Sequence, residues 1–120
     1  PDTIVRSLAI GSPADGQRSL ALARGSGGSV EAVEDADTIA AIRLLAETEG
    51  ILTETAGGVT LGALRLAITR GVVGRDDEVV VVITGNGLKT LDVIVDGTSG
   101  EVIEPSLDAF ATWALKEGVS

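Results

Sequence analysis

The sequence predicts an α/β fold, as a portion of a three-layer αβα, open and mainly parallel sheet. Three observations carry that expectation. Segments with helical periodicity alternate with short β-rich segments, the pattern of the class. Val79-Val80-Val81-Val82-Ile83 is a run of five β-branched residues that cannot alternate inside and outside. Such a run marks a strand buried on both faces of a parallel sheet. Finally, the 16 glycines fall mostly between periodic segments, where glycine punctuates turns.

The elements follow in chain order. Residues 3–10 read as an extended or short helical entry, and Gly11-Ser12-Pro13-Ala14-Asp15-Gly16 as a loop. Residues 17–24 are good helix formers stopped by Gly25. Ser29 to Val33 is a short strand candidate. Asp35 is placed to cap the next helix, because its carboxylate can accept orphan N–H groups of the first turn. Ile39, Ile42, Leu45 and Ala46 then form one apolar stripe, with Arg43, Glu47 and Glu49 elsewhere and Gly50 as the stop. After Ile51–Gly58, a third helix shows Leu61, Leu64 and Ile68 on one face and ends by Gly71. The β-branched run follows, then Thr84-Gly85-Asn86-Gly87. The tail carries Val93–Val95, a turn at Asp96–Gly100, and a helix from near Ser106 with Leu107, Phe110, Ala111, Ala114 and Leu115 on one face. Two or three strands do not complete an open sheet, so the sequence reads as a slice of a larger one. Pro1, with no initiator Met before it, fits that expectation.

Composition narrows the chemistry. At 120 residues and 44% apolar, the chain is one folded domain at most, not a disordered tail. There is no Cys, which removes disulfides, thiolate nucleophiles and zinc ribbons, and no His, which removes a Ser-His-Asp triad and imidazole ligands. What remains is carboxylates, hydroxyls, amides, backbone N–H groups, seven Arg and two Lys, Lys89 and Lys116. A net charge of −9 opposes nucleic acid and anionic membranes as partners, since both demand clustered cations. No apolar run reaches the roughly 20 residues of a membrane helix, and no signal peptide is visible, so a cytoplasmic protein is expected.

Ligands of open parallel sheets bind beyond the carboxyl ends of strands. Thr84-Gly85-Asn86-Gly87 stands there, with two glycines that admit a flat or anionic ligand and a hydroxyl aimed into the crevice. The same residues also suit a tight turn with positive φ at Gly85 or Gly87. Glu54, before Gly57-Gly58 and a helix start, could hold a ligand or cap the helix through its dipole. Lys89 could bind a phosphate or be a solvated lysine after a turn. No nucleophile–base pair can be assembled, so the residues offer a half-site and no catalytic engine.

Three ordered motifs resemble the threonine synthase family. Ser7-Leu8-Ala9-Ile10-Gly11-Ser12-Pro13-Ala14-Asp15-Gly16 is similar to its S-L-A-I-G-N-P-A-D-G stretch. Glu47 to Thr60 (Glu-Thr-Glu-Gly-Ile-Leu-Thr-Glu-Thr-Ala-Gly-Gly-Val-Thr) resembles its T-E-G-I-F-x-E-T-A-G-G-V-T segment. Thr84-Gly85-Asn86-Gly87-Leu88-Lys89-Thr90-Leu91-Asp92 resembles its T-G-x-G-L-K-T-L-D turn. Order and spacing agree from about Thr3 to Asp92, and Ile103-Glu104-Pro105-Ser106-Leu107 follows more loosely.

The resemblance implies a fold-type II pyridoxal-phosphate enzyme that converts O-phosphohomoserine and water into threonine and phosphate. It implies that this stretch is C-terminal, with residues 1–92 in the catalytic domain and 93–120 a tail with a short helix. It implies that Thr84 hydrogen-bonds the pyridine nitrogen and leaves it largely unprotonated, that Gly11 lies close to the ring, and that Glu54 lies near the cofactor edge. Ser12 stands where the family usually has Asn. The cofactor-bearing lysine and the phosphate-gripping Gly-rich loop lie upstream in the family; neither has a counterpart here, and Lys89 and Lys116 do not match the catalytic position. The isolated chain is therefore expected to be inactive and to have the rest of the enzyme as its partner. Threonine dehydratases and cysteine synthases share the fold and a similar turn, but Leu-Lys-Thr-Leu-Asp and Glu-Thr-Ala-Gly-Gly favour threonine synthase. A competing reading is a stand-alone, non-catalytic α/β module that binds a ligand or partner, with homodimerisation as one way to cover its apolar faces.

Overall fold

A computed structural model describes residues 1–94 and 101–118. The described residues form five α-helices: α1 (Gly16–Gly25), α2 (Asp35–Glu49), α3 (Thr55–Thr69), α4 (Leu91–Ile94) and α5 (Leu107–Glu117). Single 3₁₀ turns occupy Arg6–Leu8 and Gly87–Thr90. Helices α1, α2, α3 and α5 fall on the segments whose periodicity predicts them, α3 beginning at Thr55 within the expected connection, whereas α4 is a helix where the sequence places Val93–Val95 only as part of the tail. The turn expected at Asp96–Gly100 lies outside the described residues.

The centre of the structure is the α2–α3 pair. On α2, Asp35 and Asp37 stand in the first turn, where the helix dipole favours negative charge. At its far end Gly50 adopts φ 67°, which a side chain would strain, and the Gly50 and Ile51 N–H groups donate back to the Ala46 and Leu45 carbonyls. Between the ends, Ala41, Ile42 and Leu45 are buried, so the predicted stripe is the packing face, with Ile39 and Ala46 half-buried at its edge.

The packing face of α3 differs from the expected one. Leu61 and Leu64 are only half-buried and Ile68 is exposed, whereas Gly57, Gly58 and Gly62 are buried. A Cβ on Gly58 would sit 2.6 Å from Ile42 Cγ1 and 2.8 Å from the Thr38 carbonyl oxygen; one on Gly62 would sit 2.6 Å from Val33 Cγ1. The glycines let the two backbones approach more closely than any side chain permits. Hydrophobic periodicity cannot find such a face, because glycine contributes almost nothing to it.

Asp35 also departs from expectation. It is the first helical residue rather than a cap, and no side chain caps α2. Its carboxylate instead accepts from Thr3 Oγ1 at 2.5 Å and from the Ile4 N–H at 3.1 Å, which ties the entry segment to α2 beside buried Val5. From the other side, α4 packs on α2 with Ile94 buried.

Among the described residues there is no strand, only an isolated antiparallel bridge between Thr53 and Asn86. Neither Ser29–Val33 nor Val79–Ile83 forms a ladder, and the expected parallel sheet is not formed by these residues. The physical reason is partnership: a β-branched run stabilises a strand only when neighbours accept its N–H and C=O groups and cover its faces. Here Val80 is 86% exposed and Val82 63%. The molecule is accordingly open. Its radius of gyration is 19.1 Å, against about 14 Å for a compact chain of this length. Its accessible surface is 9026 Å², against roughly 6,000 Å² for a closed protein of this mass.

Candidate functional site

Two segments far apart in sequence close on one another ahead of α3. The Glu54 N–H donates to the Gly85 carbonyl at 3.0 Å, and the Gly87 N–H donates to the Leu52 carbonyl at 2.9 Å. Thr53, fully buried, donates from Oγ1 to the Gly85 carbonyl at 3.3 Å. The Thr55 N–H at the start of α3 donates to Thr90 Oγ1 at 3.3 Å. Residues 52–55 and 85–90 thus form a hydrogen-bonded clasp.

The glycines of the second segment are required by this closeness. Neither Gly85 nor Gly87 has positive φ, so the reading of a turn that needs it does not hold. A Cβ on Gly85 would fall 2.3 Å from Glu54 Cδ, and one on Gly87 would fall 2.5 Å from Leu52 Cγ and 2.9 Å from the Thr53 carbonyl oxygen. Asn86 fixes the exit, its Oδ1 accepting from the Leu88 N–H at 2.9 Å to cap the 3₁₀ turn.

Within the clasp, Glu54 joins two sequence-predicted residues. Thr84 Oγ1 donates to Glu54 Oε1 at 3.0 Å, and Lys89 Nζ stands 3.6 Å from Glu54 Oε2. The Glu54 side chain is only 13% exposed, while that of Lys89 is 65% exposed. Glu54 precedes α3 in extended conformation, but its side chain makes no capping bond; the carboxylate faces Thr84 and Lys89 instead. Lys89 is neither free nor phosphate-like in its setting: its partner is a carboxylate.

Gly11 stands apart. It is exposed, a Cβ there would meet nothing within 4 Å, and among the described residues no hydrogen bond or ion pair ties it to Thr84 or Glu54. The other lysine, Lys116 on α5, pairs with Glu101 at 3.4 Å and Glu117 at 3.9 Å. Thr53 and Thr90 were not anticipated as site residues. Their roles depend on contacts 32 and 35 residues away, and no local pattern encodes those.

The arrangement offers an exposed hydroxyl oriented by a sheltered carboxylate, on a loop without side chains at two positions. It offers no nucleophile and no unengaged base. Among the described residues, no group of three or more Asp and Glu is placed to hold a metal ion, and no helix is long and apolar enough to cross a membrane.

Comparison with known proteins fits this half-built site. A family model described as pyridoxal-phosphate dependent enzyme matches residues 1–85. The chain is 36% identical over 110 residues to a threonine synthase of Methanosarcina acetivorans, covering 91% of this chain and 27% of that protein. It is 36% identical over 95 residues to a threonine synthase of Methanocaldococcus jannaschii, covering 79% and 24%. With a threonine synthase of Mycobacterium leprae it shares 39% over 92 residues, covering 77% and 26%. The chain spans about a quarter of the length of these curated relatives.

Proposed function

The chain belongs to the pyridoxal-phosphate dependent enzymes, and we propose that it is the C-terminal portion of a threonine synthase, which converts O-phosphohomoserine and water into threonine and phosphate. The observation that carries this reading is the clasp that holds Thr84 and Glu54 together at a glycine-lined loop. Identity to threonine synthases over most of the chain supports it.

The residues fit the ring end of the cofactor. An exposed hydroxyl between backbone that carries no bulk suits the edge of a flat heteroaromatic ring, and in this reading Thr84 hydrogen-bonds the ring nitrogen. Glu54 orients that hydroxyl near the cofactor edge; a place for Gly11 beside the ring face rests on the family resemblance alone, since Gly11 stands apart from the clasp. Within the clasp, neither Lys89, engaged with Glu54, nor the first N–H of α3, taken by Thr90, is open to the phosphate end. When bound, the cofactor supplies an electron sink for carbanion chemistry, and the protein tunes it through the hydrogen bonds it offers the ring.

The chain's own part is therefore to position the ring, with residues 1–92 in the catalytic domain and 93–120 a tail. The lysine that carries the cofactor, the phosphate grip and the binding groups for O-phosphohomoserine come from the remainder of the enzyme, which also covers the exposed apolar run at Val79–Ile83. The test is a substrate panel on the full enzyme. Phosphate release from O-phosphohomoserine is expected; 2-oxobutyrate from threonine with no phosphate release would replace this reading by a dehydratase. The 120-residue chain alone is expected to show negligible turnover, and robust threonine release from it would overturn the division of labour.

A further inference from the structure

We propose that Asn86–Gly87 is a deamidation site that the clasp holds shut, and that the isoaspartate formed once the clasp opens weakens its reclosure. Asn86 is the one asparagine in the 120 residues, and glycine follows it. The chemistry needs only the chain and water. The backbone nitrogen of Gly87 gives its proton to solvent base and attacks Asn86 Cγ. An N–Cγ bond forms, the Cγ–Nδ2 bond breaks, and the leaving nitrogen takes a proton from water and departs as ammonia. Water then adds to the five-membered imide and breaks one of its two C–N bonds, giving aspartate or isoaspartate. A side chain on the following residue would crowd that ring, and glycine has none.

The structure presents the electrophile and withholds the nucleophile. Asn86 is exposed, and its Oδ1 accepts from the Leu88 N–H at 2.9 Å, which draws electron density from Cγ. Gly87 is buried, and its N–H donates to the Leu52 carbonyl at 2.9 Å, which keeps the proton from base. Ring closure also requires the Gly87 nitrogen to eclipse Asn86 Cβ about the Cα–C bond, at a ψ outside the regions an L residue favours. Asn86 is extended instead, with φ −79° and ψ 144°. It pairs with Thr53 in the isolated bridge, whose two bonds run from the Glu54 N–H to the Gly85 carbonyl and from the Gly87 N–H to the Leu52 carbonyl. Attack therefore waits for residues 52–55 and 85–90 to part, and its rate follows the population of the opened clasp. An aspartate product keeps the backbone and an acceptor for the Leu88 N–H. Isoaspartate runs the backbone through Cβ and Cγ, which adds a methylene between the Gly85 carbonyl and the Gly87 N–H and puts the two bridge bonds out of register.

The test is peptide mapping of the full-length protein after incubation at mildly alkaline pH, with and without urea. Tryptic peptide 76–89 carries Asn86 as its one side-chain amide, so the exchange of NH2 for OH is read there by mass. Conversion is expected in urea, and at a rate about tenfold lower or less in the native protein, because the opened clasp is a minor population. The slowing equals or exceeds the native hydrogen-exchange protection of the Gly87 amide, since both reactions remove the same proton. Thr90→Val takes away the acceptor of the Thr55 N–H and is expected to speed native conversion several-fold without changing the rate in urea. No conversion in urea, equal rates with and without it, or a slowing smaller than the Gly87 protection overturns the proposal, and so does a folded Thr90→Val that converts no faster than wild type. After urea is removed, the aspartyl and isoaspartyl peptides separate by chromatography. Protection of the Gly87 amide is expected to return in the aspartyl form and to stay several-fold lower in the isoaspartyl form. Equal protection in the two overturns the effect on reclosure.

Discussion

Helices α2 and α5 carry apolar stripes that look alike in the sequence, yet only that of α2 is buried, against the glycines of α3. Ile42 of α2 is fully enclosed, beneath Gly58 of α3. On α5, Leu107 and Leu115 are largely exposed, although the helix is well formed: Ser106 Oγ accepts from the Ala109 N–H and Gly118 ends it at φ 69°. Caps and periodicity are therefore enough to place a helix, and a facing element is needed to turn its stripe into stability. The clasp that builds the candidate site is attached to the enclosed region, through α3 and buried Ile94 of α4.

The strongest way to break this comparison is to empty the enclosed region. Ile42→Ala removes the largest fully buried side chain and leaves a cavity between helices that cannot collapse far, because glycines already bring them to contact. The expected loss is about 2–5 kcal/mol, read from urea titration of the helical circular dichroism signal. With so few buried apolar residues, that loss is enough to remove a cooperative transition altogether. A loss under about 1 kcal/mol would show that α2–α3 is not the organising core.

The two glycines of the clasp sharpen the comparison by separating fold from site. Gly87→Ala drives a methyl group against Leu52 and the Thr53 carbonyl, which is backbone and cannot step aside. The expected cost is about 1–3 kcal/mol of stability. Gly85→Ala meets only the end of the Glu54 side chain, which can swing away. Its expected cost is under about 1 kcal/mol, while the Thr84–Glu54 contact is lost. Urea titration of both variants, with backbone and side-chain NMR shifts of Thr84, distinguishes the outcomes. Equal destabilisation by the two would mean that Glu54 is held as rigidly as backbone.

What the sequence made legible follows the same line. Four of the five helices, α1, α2, α3 and α5, are encoded locally, by periodicity, by Gly50 and by Ser106, and stand where those signals put them; α4, over Leu91–Ile94, carries no such signal. Thr84, Gly85 and Glu54 were visible as candidates because their motifs are local as well. The face α3 uses was hidden, since its three glycines register as an absence of pattern. The tie from Asp35 to Thr3 and Ile4 was hidden for a different reason: a carboxylate at a helix start has an obvious local use, and here a distant segment competes for it successfully. The strand at Val79–Ile83 was legible as a sequence with a demand for partners, and these residues do not meet that demand. A β-ladder is a non-local object, so a run can state the requirement without fulfilling it.

The smallest effect expected tests the exposed half directly. Leu115 on α5 is 83% exposed, so Leu115→Ser exchanges one solvated side chain for another. In the 120-residue chain the change is expected to stay within about 0.5 kcal/mol, close to the limit of a urea titration. In the full enzyme the same substitution discriminates. If the remainder of the protein covers this face, burial of a leucine contributes about 1.5–3 kcal/mol, and the serine variant loses most of it. A loss in the full enzyme with none in the chain would show that the stripe on α5 is written for a partner beyond these residues. No loss in either would leave α5 a helix whose apolar face is solvated in both, and the contrast with α2–α3 would then be a property of the whole protein.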